Sequence, residues 1–321
     1  MRAARSLSLH ETRVEELPDP APGPGEVVCR IEACGVCGSD VTDWHVEPKL
    51  PTVLGHEPAG VVTAVGEGLF APRPGDRVAL HHHVPCGECR RCRRGHETLC
   101  ERFRQSNLDP GGFAEQVRVP AELVAELLPI GELDAVTATF VEPLGCVLRS
   151  HERARLSPGD SLLVVGAGTQ GLLQIQAAHA RGVEVVWVRE PRPERLALAE
   201  AAGAERHGNE PVDVAIVCTP NAAAIAAAAD ALAPGGSLCL YAPPSPERPL
   251  ELDGESLYYR EWDVTASYSA GPRDVRAALH LLTSGRIDPG ALVSHRVGLD
   301  EVGRALRMTR SGEALKAVVV P

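Results

Sequence analysis

Leu162-Leu163-Val164-Val165-Gly166-Ala167-Gly168-Thr169-Gln170-Gly171 decides the fold. An apolar strand runs into glycines at G-x-G-x-x-G spacing, and an apolar helical stretch follows. The first glycine permits the tight turn, the second lets a pyrophosphate approach the backbone, and the third packs helix on strand. The helix N-terminus then offers its unpaired amides to phosphates. Alone this loop is a weak signal, so its surroundings matter. Upstream, Ser157-Pro158-Gly159-Asp160 is a turn feeding residues 161–165. Downstream, 183–188 reads as a strand, 193–202 as a helix, 212–218 as a strand, 222–232 as an alanine-rich helix, and 237–241 and 262–267 as strands. This alternation predicts a parallel sheet wrapped by helices. The passage 203–213 looks too short for a full strand and helix.

Glu190 ends the second strand at about the 20-residue offset where an acid meets the adenosine ribose hydroxyls. Its carboxylate would repel a 2'-phosphate, so NAD is expected rather than NADP, although Arg189 and Arg192 flank it. Thr169, Gln170 and Arg195 are placed with the same site. The helix at 141–155 opens this half, a further helix is expected at 273–284, and 299–312 and 314–320 read as a last helix and a closing strand.

The other half has a different texture. Residues 26–124 read as short strands, for example 26–31 and 59–65, broken by Gly and Pro, which predicts an irregular β-rich barrel. Within it stands Pro85-Cys86-Gly87-Glu88-Cys89-Arg90-Arg91-Cys92, followed by Leu99-Cys100. Four cysteines at C-x2-C-x2-C-x7-C spacing suit one closed tetrahedral zinc. An iron–sulfur cluster also fits C-x2-C-x2-C. His81, His82 and His83 cannot all face one ion from an extended chain, and read as strand and surface residues. Cys29, Cys34, Cys146, Cys218 and Cys239 read as buried small hydrophobes.

Composition limits the classes of function. With 321 residues the chain exceeds the about 250 residues at which single cores stop growing, so two domains are expected. The net charge of -11 argues against a dedicated nucleic-acid binder. No apolar run reaches the about 20 residues of a membrane span, and the first ten residues form no signal peptide. A cytoplasmic location follows, where the 10 cysteines serve as ligands or core residues rather than disulfides. The Pro-rich stretches 18–24 and 242–249 read as surface connections.

Gly35-Val36-Cys37-Gly38-Ser39-Asp40 and Val53-Leu54-Gly55-His56-Glu57-Pro58 each set a strong zinc ligand among glycines. With the cysteine clip and the glycine loop, they resemble the zinc-containing medium-chain dehydrogenase/reductase family, the alcohol, sorbitol and threonine dehydrogenases, over essentially the whole chain. The resemblance implies an α/β protein with a GroES-like β-rich catalytic domain at 1–142 and 286–321. A Rossmann domain, doubly wound about a parallel sheet, would fill 143–285. It implies two zincs per chain. Cys37, His56 and Glu57 or Glu142 would hold the catalytic ion, and Cys86, Cys89, Cys92 and Cys100 a structural one. Asp40 matches the acid that orients the histidine.

By the same resemblance the protein transfers a hydride between a secondary alcohol, polyol or cyclitol and NAD(P). Ser39 matches the hydroxyl that receives the alcohol proton. A histidine common in the family is Thr42 here, so His45 or water must complete the exit. Trp44, His45 and Phe113 are candidates to line the pocket, and a homodimer or homotetramer is expected, with contacts near 222–241. A zinc-free quinone or enoyl reductase of the same fold would lack the Cys37, His56 and Glu57 set. A zinc-ribbon nucleic-acid binder using Arg90, Arg91, Arg93 and Arg94 is the reading from a different class.

Overall fold

Ser161–Val165 is an inner strand of a six-stranded parallel sheet. The strands lie in the order Glu205–Arg206, Val185–Arg189, Ser161–Val165, Val212–Val217, Leu232–Leu240, Asp263–Ala266. Counted along the chain from Ser161 this is 3-2-1-4-5-6, the doubly wound order whose direction reverses between the first and fourth strands. Helices Thr169–Ala180, Pro193–Ala201 and Ala222–Asp230 connect the strands. Leu163, Val165, Ala215, Val217, Ile225 and Leu238 form part of one buried core. Such unbroken apolar strands are what a sheet covered on both faces requires.

The short passage after Gly203 has a plain outcome. The third strand is two residues long, and no helix lies between it and Val212. The fifth strand starts at Leu232, earlier than the sequence suggests, and a register shift between Val212 and Val214 absorbs the glycines at 235 and 236. Because Asp263–Ala266 pairs outside it, Leu232–Leu240 is an inner strand, so the free sheet edge lies beyond the expected 222–241.

The structure, a computed structural model, describes residues 1–247 and 250–321, so the expected connection at 242–249 ends outside the described residues. The chain forms two compact units, 1–143 with 271–321, and 144–270. The boundary expected at 285/286 therefore moves to 270/271. Helix Pro272–Thr283 belongs to the first unit because Arg276 pairs with the buried Glu126 and Val275 lines a cavity with Glu57 and Glu142.

That first unit is β-rich. Val27–Gly35 and Glu57–Val65 pair antiparallel at its centre. Around them the sheet runs Val293–Val297, Lys316–Val319, Val27–Gly35, Glu57–Val65, Arg77–Leu80, Leu127–Pro129, with Gln116–Val119 also on Val27–Gly35. Val27, Ile31, Val62, Val78, Phe113 and Val117 are among its buried core. No helix of the described residues is long and apolar enough to cross a membrane.

The glycine loop is fixed by contact as well as by conformation. Gly166 has φ +96°, and a Cβ on Gly171 would stand 1.8 Å from the Gly166 carbonyl oxygen. Gly171→Ala must therefore push the helix off the strand. We expect a loss of about 1–3 kcal/mol, the usual range for overpacking, read as a lower denaturant midpoint with unchanged slope.

Candidate active site

The zinc ligands expected from separate segments meet on the central strand pair. Cys37 follows Val27–Gly35, and His56 and Glu57 stand at the start of Glu57–Val65, where Gly35 pairs directly with Glu57. One ligand atom each from Cys37, His56 and Glu57 lies within 4.8 Å of the others. Glu142 is not in that group among the described residues; it lines a cavity with Glu57, Leu80, His81, Thr139 and Val275.

The donor set fits zinc in detail. His56 Nδ1 donates to Asp40 Oδ1 at 3.2 Å, which turns Nε2 toward the cluster. Asp40 is itself buried and receives the Cys37 amide at 3.0 Å. This is the outer support a metal-bound imidazole needs. Ser39 Oγ lies 3.4 Å from His56 Nε2. Glu57 Oε1 is buried and has no hydrogen-bond partner among the described residues, a cost of about 1–3 kcal/mol that a cation at this point removes.

Charge runs the same way. Burial acts to raise the Asp40 pKa, but His56, the Cys37 amide and Lys316 together outweigh it and hold the carboxyl below its ordinary value. Burial likewise acts to lower the His56 pKa, and Asp40 with Cys37 outweighs it, holding the imidazole well above its ordinary value. A cation is thus favoured between Cys37, Asp40 and Glu57, and a proton occupies that place until a metal displaces it.

The sequence reading missed Lys316. It is buried on the closing strand, and its Nζ pairs with Glu57 Oε2, donates to the Val36 carbonyl at 3.1 Å and lies 5.6 Å from the centre of the Phe140 ring. Its partner is 259 residues away in sequence. The only available signal was Gly35, where a Cβ would stand 1.9 Å from Glu57 Oε2 and 3.0 Å from Lys316 Nζ. Burial acts to lower the lysine pKa, and Glu57 with its neighbours outweighs it, so the Lys316 ammonium is retained.

The proposed exit residues sit beside this cluster in sequence. Thr42 Oγ1 donates to the Gly38 carbonyl at 3.0 Å. His45 Nε2 is 2.7 Å from Lys49 Nζ. Burial, then Lys49, lowers the His45 pKa. Phe113 is fully buried core against Gly55, whereas Trp44 is 46% exposed. The three histidines differ from expectation. They follow the strand Arg77–Leu80 rather than lie in it, and His81 and His82 are buried. The ring centroids of His82 and His56 are 5.1 Å apart, so His82 packs behind the His56 ring.

The four-cysteine clip forms around the helix Arg90–Arg93. The four Sγ atoms lie within 4.8 Å of one another, with Cys89 to Cys92 at 3.5 Å and Cys86 to Cys92 at 3.9 Å. Amides of Cys86 and Cys89 donate to Cys100 and Cys86 Sγ, each at 3.3 Å. Against burial, hydrogen bonds from the Cys86 and Phe103 amides bring the Cys100 thiol down to about 6. Phe103 packs beneath the clip. All four donors are used and none is left for substrate, as in structural zinc sites. Of the other cysteines, Cys29, Cys34 and Cys239 are buried, and Cys146 and Cys218 are partly accessible.

In the second unit, Glu190 and the glycine loop lie together. Glu190 accepts the Ala167 amide through Oε2 at 2.7 Å and the Arg192 amide through Oε1 at 2.9 Å. Thr169 opens the helix Thr169–Ala180, and Gln170 accepts the Tyr241 hydroxyl at 2.7 Å. Arg195 Nη1 lies 3.8 Å from where a Gly168 Cβ would stand. Arg189 is committed elsewhere, to His207 and the Ala227 carbonyl.

Comparison with known proteins agrees with this assembly. Residues 23–129 match the alcohol dehydrogenase GroES-like domain, and residues 171–284 match the zinc-binding dehydrogenase domain. The chain is 30% identical over 332 residues to a sorbitol dehydrogenase of Halalkalibacterium halodurans, covering 96% of this chain and 95% of that one. A zinc-binding dehydrogenase of Sinorhizobium meliloti 1021 bound to NADP superposes with TM-score 0.89 at 27% identity, covering 100% and 99% of the two chains. An alcohol dehydrogenase of E. coli CFT073 complexed with NADH gives TM-score 0.90 at 25% identity over the same shares.

The His56 proton sets a pH dependence. Its raised pKa means a proton competes with zinc to higher pH than at an ordinary imidazole, so apparent affinity rises with pH and levels off above the His56 pKa. Asp40→Asn lowers that pKa and moves the rise to lower pH, while the lost orientation weakens the plateau affinity about 10–100-fold. Zinc titration against a chromophoric chelator at several pH values measures both effects.

Proposed function

We propose that this chain, which belongs to the zinc-containing medium-chain dehydrogenase/reductase family, oxidises a secondary alcohol, polyol or cyclitol with NAD(P), and reduces the matching ketone in reverse. The observation that carries this reading is the cluster of Cys37, His56 and Glu57, with an orphaned carboxylate oxygen and the Ser39 hydroxyl beside it. When bound there, zinc supplies Lewis acidity to a substrate hydroxyl and the dinucleotide supplies the hydride acceptor. We assign the polyol class from the sorbitol dehydrogenase relative.

The chain's own residues handle the rest. Cys37, His56 and Glu57 hold the ion, and Asp40 orients His56. Ser39 takes the hydroxyl proton, because its Oγ stands next to the ligand cluster and can accept one proton as it gives up another. Thr42 already donates to the Gly38 carbonyl, so it can accept but not pass on its own proton without turning. His45 is the stronger exit group. Burial, then Lys49, favours its neutral form, and a proton arriving on Nε2 displaces the exposed Lys49 ammonium toward solvent.

Gly166, Gly168, Thr169, Gln170, Gly171 and Arg195 cradle the dinucleotide, and Glu190 meets the adenosine ribose. NAD is favoured over NADP because the Glu190 carboxylate stands at the loop and Arg189 is committed to His207 and Ala227. A cytosolic location keeps the free cysteines reduced. A homodimer or homotetramer is supported by exposed Tyr258, Tyr259 and Val264 at or beside the edge strand Asp263–Ala266.

Metal analysis of the purified protein should return two zincs per chain, with saturable NADH binding seen by fluorescence. One zinc per chain, no nicotinamide binding and salt-sensitive binding of DNA or RNA would instead support the zinc-ribbon reading. For the proton exit, the unprotonated His45 is the active form. Lys49→Met removes a neighbour that depresses its pKa, so the acid limb of the kcat profile should shift to higher pH. If neither this variant nor His45→Ala moves the limb, the proton leaves through water.

A further inference from the structure

We infer that Lys316 is a positioning residue of the open zinc site, which fixes Glu57 as a ligand through one oxygen only. The inference rests on the zinc reading above and adds to it the role of the closing strand. Lys316–Val319 pairs antiparallel with Val27–Gly35, Val318 facing Gly35 and Val319 facing Cys34, and the Val36 amide donates to the Ala317 carbonyl at 2.9 Å. That register carries the lysine under the loop that presents Cys37. Its long side chain then runs to Glu57.

The two oxygens of Glu57 have different surroundings. Oε2 is paired with Lys316 Nζ, and Oε1 is buried without a partner. Glu57 is 1% and Lys316 2% exposed, so neither can exchange its partner for water. The ammonium is further held by the Val36 carbonyl and the Phe140 ring, which leaves it little freedom to release Oε2. Gly35 completes the arrangement, because any side chain there would strike both Oε2 and Nζ.

The consequence is one of coordination number. A carboxylate free to use both oxygens can fill two positions on an ion. Tied at Oε2, Glu57 offers Oε1 alone. With Cys37 and His56 that makes three donors, and a tetrahedral zinc keeps its fourth position for substrate. The lysine touches neither substrate nor metal, so its effect passes entirely through Glu57.

The test uses the zinc-loaded full chain and follows release of zinc to a chromophoric chelator. Wild type should lose its two ions in two phases, the four-cysteine ion more slowly. Lys316→Met frees Oε2 as a second donor to the ion, so the fast phase should slow several-fold while the slow phase stays unchanged. Lys316→Arg, which keeps the charge and the donors, should restore the wild-type rate. In a Glu57→Gln background, Lys316→Met should slow nothing further. An unchanged or faster fast phase in Lys316→Met, or an equal slowing in the Glu57→Gln background, overturns the positioning role. If wild type carries a single zinc, the zinc reading itself has failed. Circular dichroism spectra matching wild type confirm that each variant is folded.

Discussion

The antiparallel pairing of Val27–Gly35 with Glu57–Val65 is the constraint on which the active site depends. Gly35 faces Glu57, so Cys37 leaves one strand just where His56 and Glu57 enter the next. Three ligands from two distant segments are brought together by backbone register, before any side chain is considered. Register in a half-buried sheet is strongly specified, because a slip of one residue would turn the whole apolar face outward. The apolar residues Val27, Ile31, Val62 and Val78 therefore hold Cys37, His56 and Glu57 in place indirectly, by making every other register costly. The closing strand Lys316–Val319 joins on the other side of Val27–Gly35 and brings the cation that completes the cluster.

Much of this was legible in the sequence, and the reasons differ by element. The strand, loop and helix at Ser161–Ala180 were readable because period, glycine spacing and length all agree within about twenty residues. The four cysteines were readable because the ligands are neighbours in the chain. Cys37, His56 and Glu57 needed the wider pattern, since no local rule says that two strands twenty residues apart will pair. Lys316 was unreadable. A lone lysine before an apolar run is a normal surface residue, and only the sheet order places it under Cys37. The three histidines failed for a related reason: alternation along a strand does not apply once the chain has left the strand at Leu80.

The two metal sites divide their tasks through their supply of donors. The clip at Cys86, Cys89, Cys92 and Cys100 saturates a tetrahedral ion from within one short segment, and backbone amides favour the thiolate forms. It can therefore stabilise a loop with little core, where Phe103 packs beneath the sulfurs. The Cys37 site draws its donors from different strands and offers fewer of them. It is held by a shell of neighbours that are themselves buried: Asp40 behind His56, and Lys316 behind Glu57.

That shell explains why the same site can be both rigid and open. A closed site gains rigidity from the metal, which links its own ligands. An open site must acquire rigidity elsewhere, or the ligands will turn to fill the vacant position. Here each ligand with rotational freedom is held at the atom that does not face the cluster: His56 at Nδ1 and Glu57 at Oε2. Cys37 has no second atom to hold, and the Asp40 contact to its backbone amide serves the same purpose. The buried charges Asp40 and Lys316 would each be costly alone, and both are neutralised within the cluster. Their placement is what keeps a coordination position free for substrate without leaving an unpaired charge in the core.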